Sequence, residues 1–170
     1  MKPVLVLCLG NEVLSDDSFG FHVFNRIADS YAEEGPTEVI YSSIAGFSLL
    51  ELLRERKRVL VIDAITTGAK PGTVHFFPAG LLTPSRHLIN SHQINLPSAI
   101  QLGRQLGLEM PEAIDVLAVE AQDIETLSEE MTEPVEQALD PVCHRIYEWS
   151  LANTEELKLH VSRKTGALAF

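Results

Sequence analysis

The chain has 170 residues, 45% hydrophobic and 22% charged, a balance that fits one folded domain with its own core and excludes a disordered, collagen-like or disulfide-scaffold protein. Thirteen Lys and Arg face 24 Asp and Glu, for a formal charge of −11. Such an excess repels phosphate backbones and anionic lipid heads, so neither nucleic acid nor a membrane is an expected partner.

Val4 to Leu9 is apolar at both parities, the pattern of a strand covered on both faces. It is far shorter than the roughly 20 residues a membrane-spanning helix needs. Lys2 ahead of it imitates a secretion signal, but Asn11, Glu12 and Asp16 follow with no small-residue cleavage site, so a cytoplasmic location is expected. Cys8 in this run and Cys143 in a later helical pattern form neither a disulfide framework nor a metal-finger spacing, and read as small buried hydrophobes.

A loop over 10–16 leads into a helix from about Asp17, where Phe19, Val23, Ile27 and Tyr31 recur at four-residue spacing; Glu33-Glu34-Gly35-Pro36 stops it. Glu38 to Tyr41 is a second strand and Phe47 to Leu53 a second helix. Val59 to Ile62 is a third strand, again apolar at both parities. Lys70-Pro71-Gly72 signals a turn, and Thr73 to Phe77, closed by Pro78, reads as a strand near the sheet edge. A third helix is predicted from Leu96 to Leu106, with Pro97 in its first turn and Gly107 as its stop. Ile114 to Val119 is a fifth strand, and Pro134 to Trp149 a closing helix with Val135, Leu139, Val142, Ile146 and Trp149 on one face. These elements predict a three-layer α/β/α domain over 1–150, built on a mostly parallel, about five-stranded twisted sheet. Residues 151–170 are expected to form a loosely docked or mobile tail.

Ligands in open α/β sheets bind beyond the carboxyl ends of the strands. Those loops carry Gly10, Asn11, Glu12, Asp16 and Asp17 after strand one, Asp63 directly after strand three, and His92 ahead of the third helix. Two carboxylates and an imidazole on one rim form a ligand set suited to a divalent first-row ion such as nickel or zinc. Structural roles compete: one of Asp16 and Asp17 fits a helix N-cap, and Asp63 can satisfy loop amides. His22, His75, His87, His144 and His160 stand at no recognised metal spacing. The chain has no phosphate-binding loop ending in Gly-Lys-Ser/Thr, no His-Glu-x-x-His, no Gly-x-Ser-x-Gly elbow and no dinucleotide fingerprint.

The order of motifs, with Leu9-Gly10-Asn11-Glu12-Val13-Leu14-Ser15-Asp16-Asp17-Ser18-Phe19-Gly20, then Ile62-Asp63-Ala64, then Ser91-His92-Gln93, resembles the hydrogenase maturation endopeptidases over about residues 3–150. The resemblance implies an enzyme that removes the C-terminal extension of the nickel-iron hydrogenase large-subunit precursor after nickel insertion. It further implies that nickel carried by the substrate serves recognition, and that the free enzyme holds no permanent metal. Nickel-contacting and catalytic roles fall on Asp17, Asp63 and His92, and cleft loops on Gly10, Asn11, Asp16, Ser43 and Gly46. The expected partner is that precursor, and the expected state is a monomer.

Two departures stand out. Ser18 replaces a common glycine, and Tyr41-Ser42-Ser43-Ile44-Ala45-Gly46 occupies the place of Asp-Gly-Gly-Thr-x-Gly, with only Ala45 and Gly46 fitting. The alternatives are a non-catalytic metal-site checker or nickel carrier on the same scaffold, and a phosphorylation-receiver-like domain. Against the receiver, the acidic pair sits well past strand one and no Lys directly follows strand five.

Overall fold

A computed structural model describes residues 1–31, 35–43, 48–81 and 95–166. Its strands are β1 (Val4–Leu9), β2 (Thr37–Ser42), β3 (Arg58–Ile65), β4 (Val74–Pro78) and β5 (Ala113–Glu120). They form one sheet in the order β2-β1-β3-β5-β4. Every pairing is parallel except that of β4, which lies antiparallel to β5 at the edge. Pro78 ends β4, where a missing N–H costs no interior ladder bond.

β1 and β3 lie inside the sheet, and their apolar residues at both parities feed two cores. On one face α1 (Phe19–Ile27) and α5 (Leu139–Gly166) bury Phe19, Val23, Val142 and Ile146 against Val6, Leu60 and Ile62. On the other, α2 (Leu49–Leu53) and α3 (Asn95–Gln105) bury Leu49, Leu53, Leu96 and Ala99 against Leu5, Leu7, Val59 and Val61. The three-layer fold with a mostly parallel sheet is thus the one the sequence predicts. A fully buried Leu, Ile or Val stabilises by roughly 1.5–3 kcal/mol, so these two layers hold the helices in place; no side chain caps the N-terminus of α1, α2 or α4 (Glu133–Glu136). Gly107 stops α3 as expected, with φ at +72° in the left-handed region. Cys8 and Cys143 are free thiols within the first core, and burial pushes both thiols up. Among the described residues, no helix is long and apolar enough to cross a membrane.

Four boundaries differ from expectation. β3 runs past Ile62 to Ile65 and β5 past Val119 to Glu120, so Asp63 and Glu120 lie inside strands rather than in the loops beyond them. The ladder continues there because Asp63 pairs with Ala118 and Ile65 with Glu120, and the Ala121 amide donates to the Ile65 carbonyl at 2.8 Å. The closing helix is broken between α4 and α5. Pro141 has no N–H to offer the Gln137 carbonyl and its ring crowds that oxygen, so one continuous helix cannot pass. Finally, α5 runs without interruption through position 150, the expected end of the domain. Residues 151–165 contain neither Gly nor Pro, and Arg58 pairs with Glu156 at 3.0 Å, tying this half of the helix to β3.

Candidate active site

The carboxyl end of β1 turns back on itself. Gly10 sits at φ +152°, and a Cβ there would lie 2.2 Å from the Asp17 carbonyl oxygen. At Gly20 a Cβ would lie 1.9 Å from the Leu9 carbonyl oxygen. The Asn11 amide donates to that same Asp17 carbonyl at 3.0 Å. Glycine at both positions therefore lets the start of α1 press against the end of β1, which brings the acidic pair back over the strand.

The two acids have different work. Asp16 is fully buried: its Oδ2 accepts the amides of Gln122 and Asp123, both at 2.8 Å, and its Oδ1 accepts the Thr132 amide at 2.7 Å and the Thr132 hydroxyl at 2.9 Å. It latches the segment after β5 onto the loop after β1. A short ladder reinforces the latch, with Leu14 bridged to Leu127 and the Ser15 amide donating to the Thr126 carbonyl at 3.0 Å. The helix-cap role expected for one of the pair is not seen, since neither the Asp16–Ser18 turn nor α1 has a side-chain cap; Asp16 spends its oxygens on amides from far along the chain instead. Asp16→Ala should cost about 3 kcal/mol or more, because it strands buried donors without an acceptor. Urea unfolding checks this, and a loss below about 1 kcal/mol contradicts the latch.

Asp17, 5% exposed, sits in the 3-10 turn that packs on β3, and Asp63, 2% exposed, lies near the end of β3 itself. β1 and β3 are neighbours with Cys8 beside Ile62, so both acids emerge at one sheet edge. Asp63 Oδ1 accepts the Ala64 amide at 2.8 Å, which is the loop-amide role considered for it. From β2, the Tyr41 hydroxyl donates to the Gly10 carbonyl at 3.2 Å, and the ring packs edge-on against Phe21. Burial pushes this phenol up, and the carboxylates of Glu12 and Asp17 push it the same way. The edge thus gathers Gly10, Asn11, Asp16, Asp17 and Asp63, with Ser43 exposed beyond the end of β2. Gly46 and His92 lie outside the described residues. Among the described residues, no three His, Cys, Asp or Glu side chains are grouped to hold a metal ion.

Charge is concentrated here. Segments 10–20, 63–72 and 120–138, which leave β1, β3 and β5 at this edge, carry eleven carboxylates against one cation, Lys70. Nearly all of the net charge of −11 therefore belongs to one end of the sheet.

Glu120, at the end of β5, was not among the residues picked from the sequence. It is 2% exposed, and its Oε1 accepts the amides of Thr67, Gly68 and Ala69 at 2.6, 2.8 and 3.2 Å. Its Oε2 accepts the Thr67 hydroxyl at 2.7 Å and lies 3.2 Å from His75 Nε2. A carboxylate directly after the apolar run 116–119 was the available signal. Burial pushes this carboxyl up, but the Thr67 hydroxyl and the amides outweigh it and hold the group below the usual range. A depressed native value means stability that is present above the unfolded value of about 4.3 and lost as pH falls through the native one. Glu120→Gln should therefore flatten the acid limb of the stability curve below about pH 4. Denaturant titrations of both proteins across that range test it, and parallel curves contradict it.

Comparison with known proteins places the chain. A family model described as hydrogenase maturation protease matches residues 21–149. The chain belongs to the hydrogenase maturation protease family. The protease is 25% identical to the hydrogenase expression/formation protein HupD of Bradyrhizobium diazoefficiens, over 98% of its own length and 85% of the relative's. It is 26% identical to the hydrogenase 2 maturation protease of Escherichia coli, over 84% and 87%. Its fold matches the hydrogenase maturating endopeptidase HybD of E. coli with a TM-score of 0.72 at 24% identity, covering 84% of this chain and 88% of the other. It is an endopeptidase of hydrogenase maturation, a family whose general task is C-terminal processing of the large subunit. The receiver-like reading falls with that assignment. The departure at Ser18 is absorbed locally, because the buried Ser18 hydroxyl donates to the Ser15 carbonyl. The departure at Tyr41 places a phenol hydroxyl on the Gly10 carbonyl.

Proposed function

We propose that the protease removes the C-terminal extension of a nickel-iron hydrogenase large-subunit precursor after nickel insertion, and that nickel carried by the substrate is what it recognises. The observation that carries this reading is the pair of buried acids, Asp17 and Asp63, at an edge that holds nearly all of the net negative charge of the chain. Carboxylates crowded there repel one another, and a cation arriving with the substrate offsets that repulsion. Asp17, Asp63 and neutral His92 offer oxygen and nitrogen contacts to an ion already held by substrate thiolates, so docking is favourable only for a loaded precursor. The free enzyme keeps no permanent metal, and acts as a cytoplasmic monomer. Hydrolysis needs an activated water and a stabilised oxyanion; a site carboxylate supplies a general base, and the substrate's ion a Lewis acid.

Incubating the protease with nickel-loaded and nickel-free precursor, and weighing the products by mass spectrometry, tests the reading. Release of a C-terminal peptide from the loaded form alone is expected. Equal cutting of both forms overturns recognition through nickel, and an intact loaded precursor overturns the substrate. The isolated protein should also bind nickel, zinc or cadmium weakly, and lose that binding in His92→Ala. Unchanged binding in the variant assigns the contact to another histidine.

A further inference from the structure

We propose that Glu120 is a positioning residue for the cleavage site: by gathering the turn that leaves β3, it fixes where Asp63 is held. The inference rests on the reading of Asp63 as a site acid. β3 ends two residues after Asp63, and after Thr66 the residues Thr67 to Ala69 direct three successive amides at one carboxylate oxygen of Glu120. Such a row of amides is a concave anion seat, and here the chain fills it with its own side chain. The β3–β5 register sets Ile65 beside Glu120 and Asp63 beside Ala118, while β4 sets His75 opposite Ala118. Side chains alternate along strands, so Asp63, His75 and Glu120 share one face of the sheet. Glu120 thus joins the exit of β3 to β4 on the face that carries Asp63.

The choice of residue is informative. Burying a carboxylate is costly unless its oxygens are fully bonded, and an apolar residue here would pack without that cost. What Glu120 adds is geometry, because two oxygens on a reach of two methylenes hold three amides, the Thr67 hydroxyl and His75 at once. Catalytic groups are sensitive to that order of placement: a displacement of about 1 Å can cost about 100-fold in rate.

Three variants separate geometry from charge. Glu120→Gln keeps length and shape; its carbonyl can take the amides and its NH2 can donate to Thr67 Oγ1 and to His75 in its other tautomer. Glu120→Asp keeps the charge but withdraws the oxygens by one methylene. Glu120→Ala removes both. Cleavage of nickel-loaded precursor by full-length protein, well below the melting temperature of each variant, should show kcat reduced by about tenfold or more in E120D and E120A, with KM changed less than about threefold. E120Q should stay within about threefold of the parent. Amide exchange at Ala64, whose N–H is held by Asp63, should accelerate in E120D and E120A but not in E120Q. Full kcat in E120D with a native Ala64 amide overturns the proposal even if that variant melts earlier. Loss of kcat in E120Q but not in E120D also overturns it, by assigning the effect to charge. If the parent protein itself leaves the precursor intact, the substrate reading fails, and the Ala64 exchange still decides whether Glu120 holds Asp63.

Discussion

Asp63→Asn is expected to reduce cleavage of the nickel-loaded precursor by about 100-fold or more while leaving the protein folded. The amide is nearly isosteric with the carboxylate, and its oxygen can still accept the Ala64 amide that Asp63 Oδ1 now holds at 2.8 Å. Ala118 beside it and the β3–β5 ladder around it are unchanged. What disappears is one negative charge and one basic oxygen at the edge where the substrate's ion must sit. Asp17→Asn should behave alike, since the substitution keeps the side chain's shape and the backbone carbonyl that accepts the Asn11 amide at 3.0 Å. Peptide release by mass, with thermal melts run in parallel, checks both. Full cleavage by the two variants would remove these acids from the mechanism.

Gly20→Ala is the largest expected effect on stability. The added methyl would lie 1.9 Å from the Leu9 carbonyl oxygen, 2.8 Å from its carbon and 2.9 Å from the Leu9 nitrogen, all backbone atoms of a central strand that cannot turn aside. Relief requires α1 to lift off β1, which opens the core around Phe19 and Val23 and carries Asp17 away from β3. A cost of about 4 kcal/mol or more follows, a large share of the stability of a domain of this size. Gly35→Ala, where nothing lies within 4 Å, serves as the matched control and should be nearly neutral. Far-ultraviolet circular dichroism and urea titration of the two variants test the difference; similar curves for both would contradict the close approach of α1 to β1.

The architecture was readable because β1 and β3 announce burial on both faces and β4, flanked by Gly72 and Pro78, announces an edge. The closing helix was less so. Its apolar stripe from Val135 to Trp149 is real, but Pro141 breaks the backbone beneath it, and the weakened stripe after position 150 marks a helix that leaves the core rather than one that ends. The division of labour between Asp16 and Asp17 could not be read locally. The donors that claim Asp16 come from Gln122, Asp123 and Thr132, more than a hundred residues away, whereas the cap expected of an acid at that place needs only its neighbours. Glu120 stayed hidden for the same reason, because its amides lie 51 to 53 residues back in the chain. Asp63 was found because it directly follows the apolar run of the third strand, which needs no knowledge of its partners.

Asp17, Asp63 and His92 are proposed to meet at a single cation beyond the ends of β1 and β3. Diffraction from zinc-soaked crystals at the zinc absorption edge tests it most directly. One anomalous peak is expected at this sheet edge, with carboxylate oxygens of both acids and one nitrogen of His92 within about 2.0–2.2 Å of it. A peak bound elsewhere, or His92 on the far side of the sheet from the two acids, would contradict it.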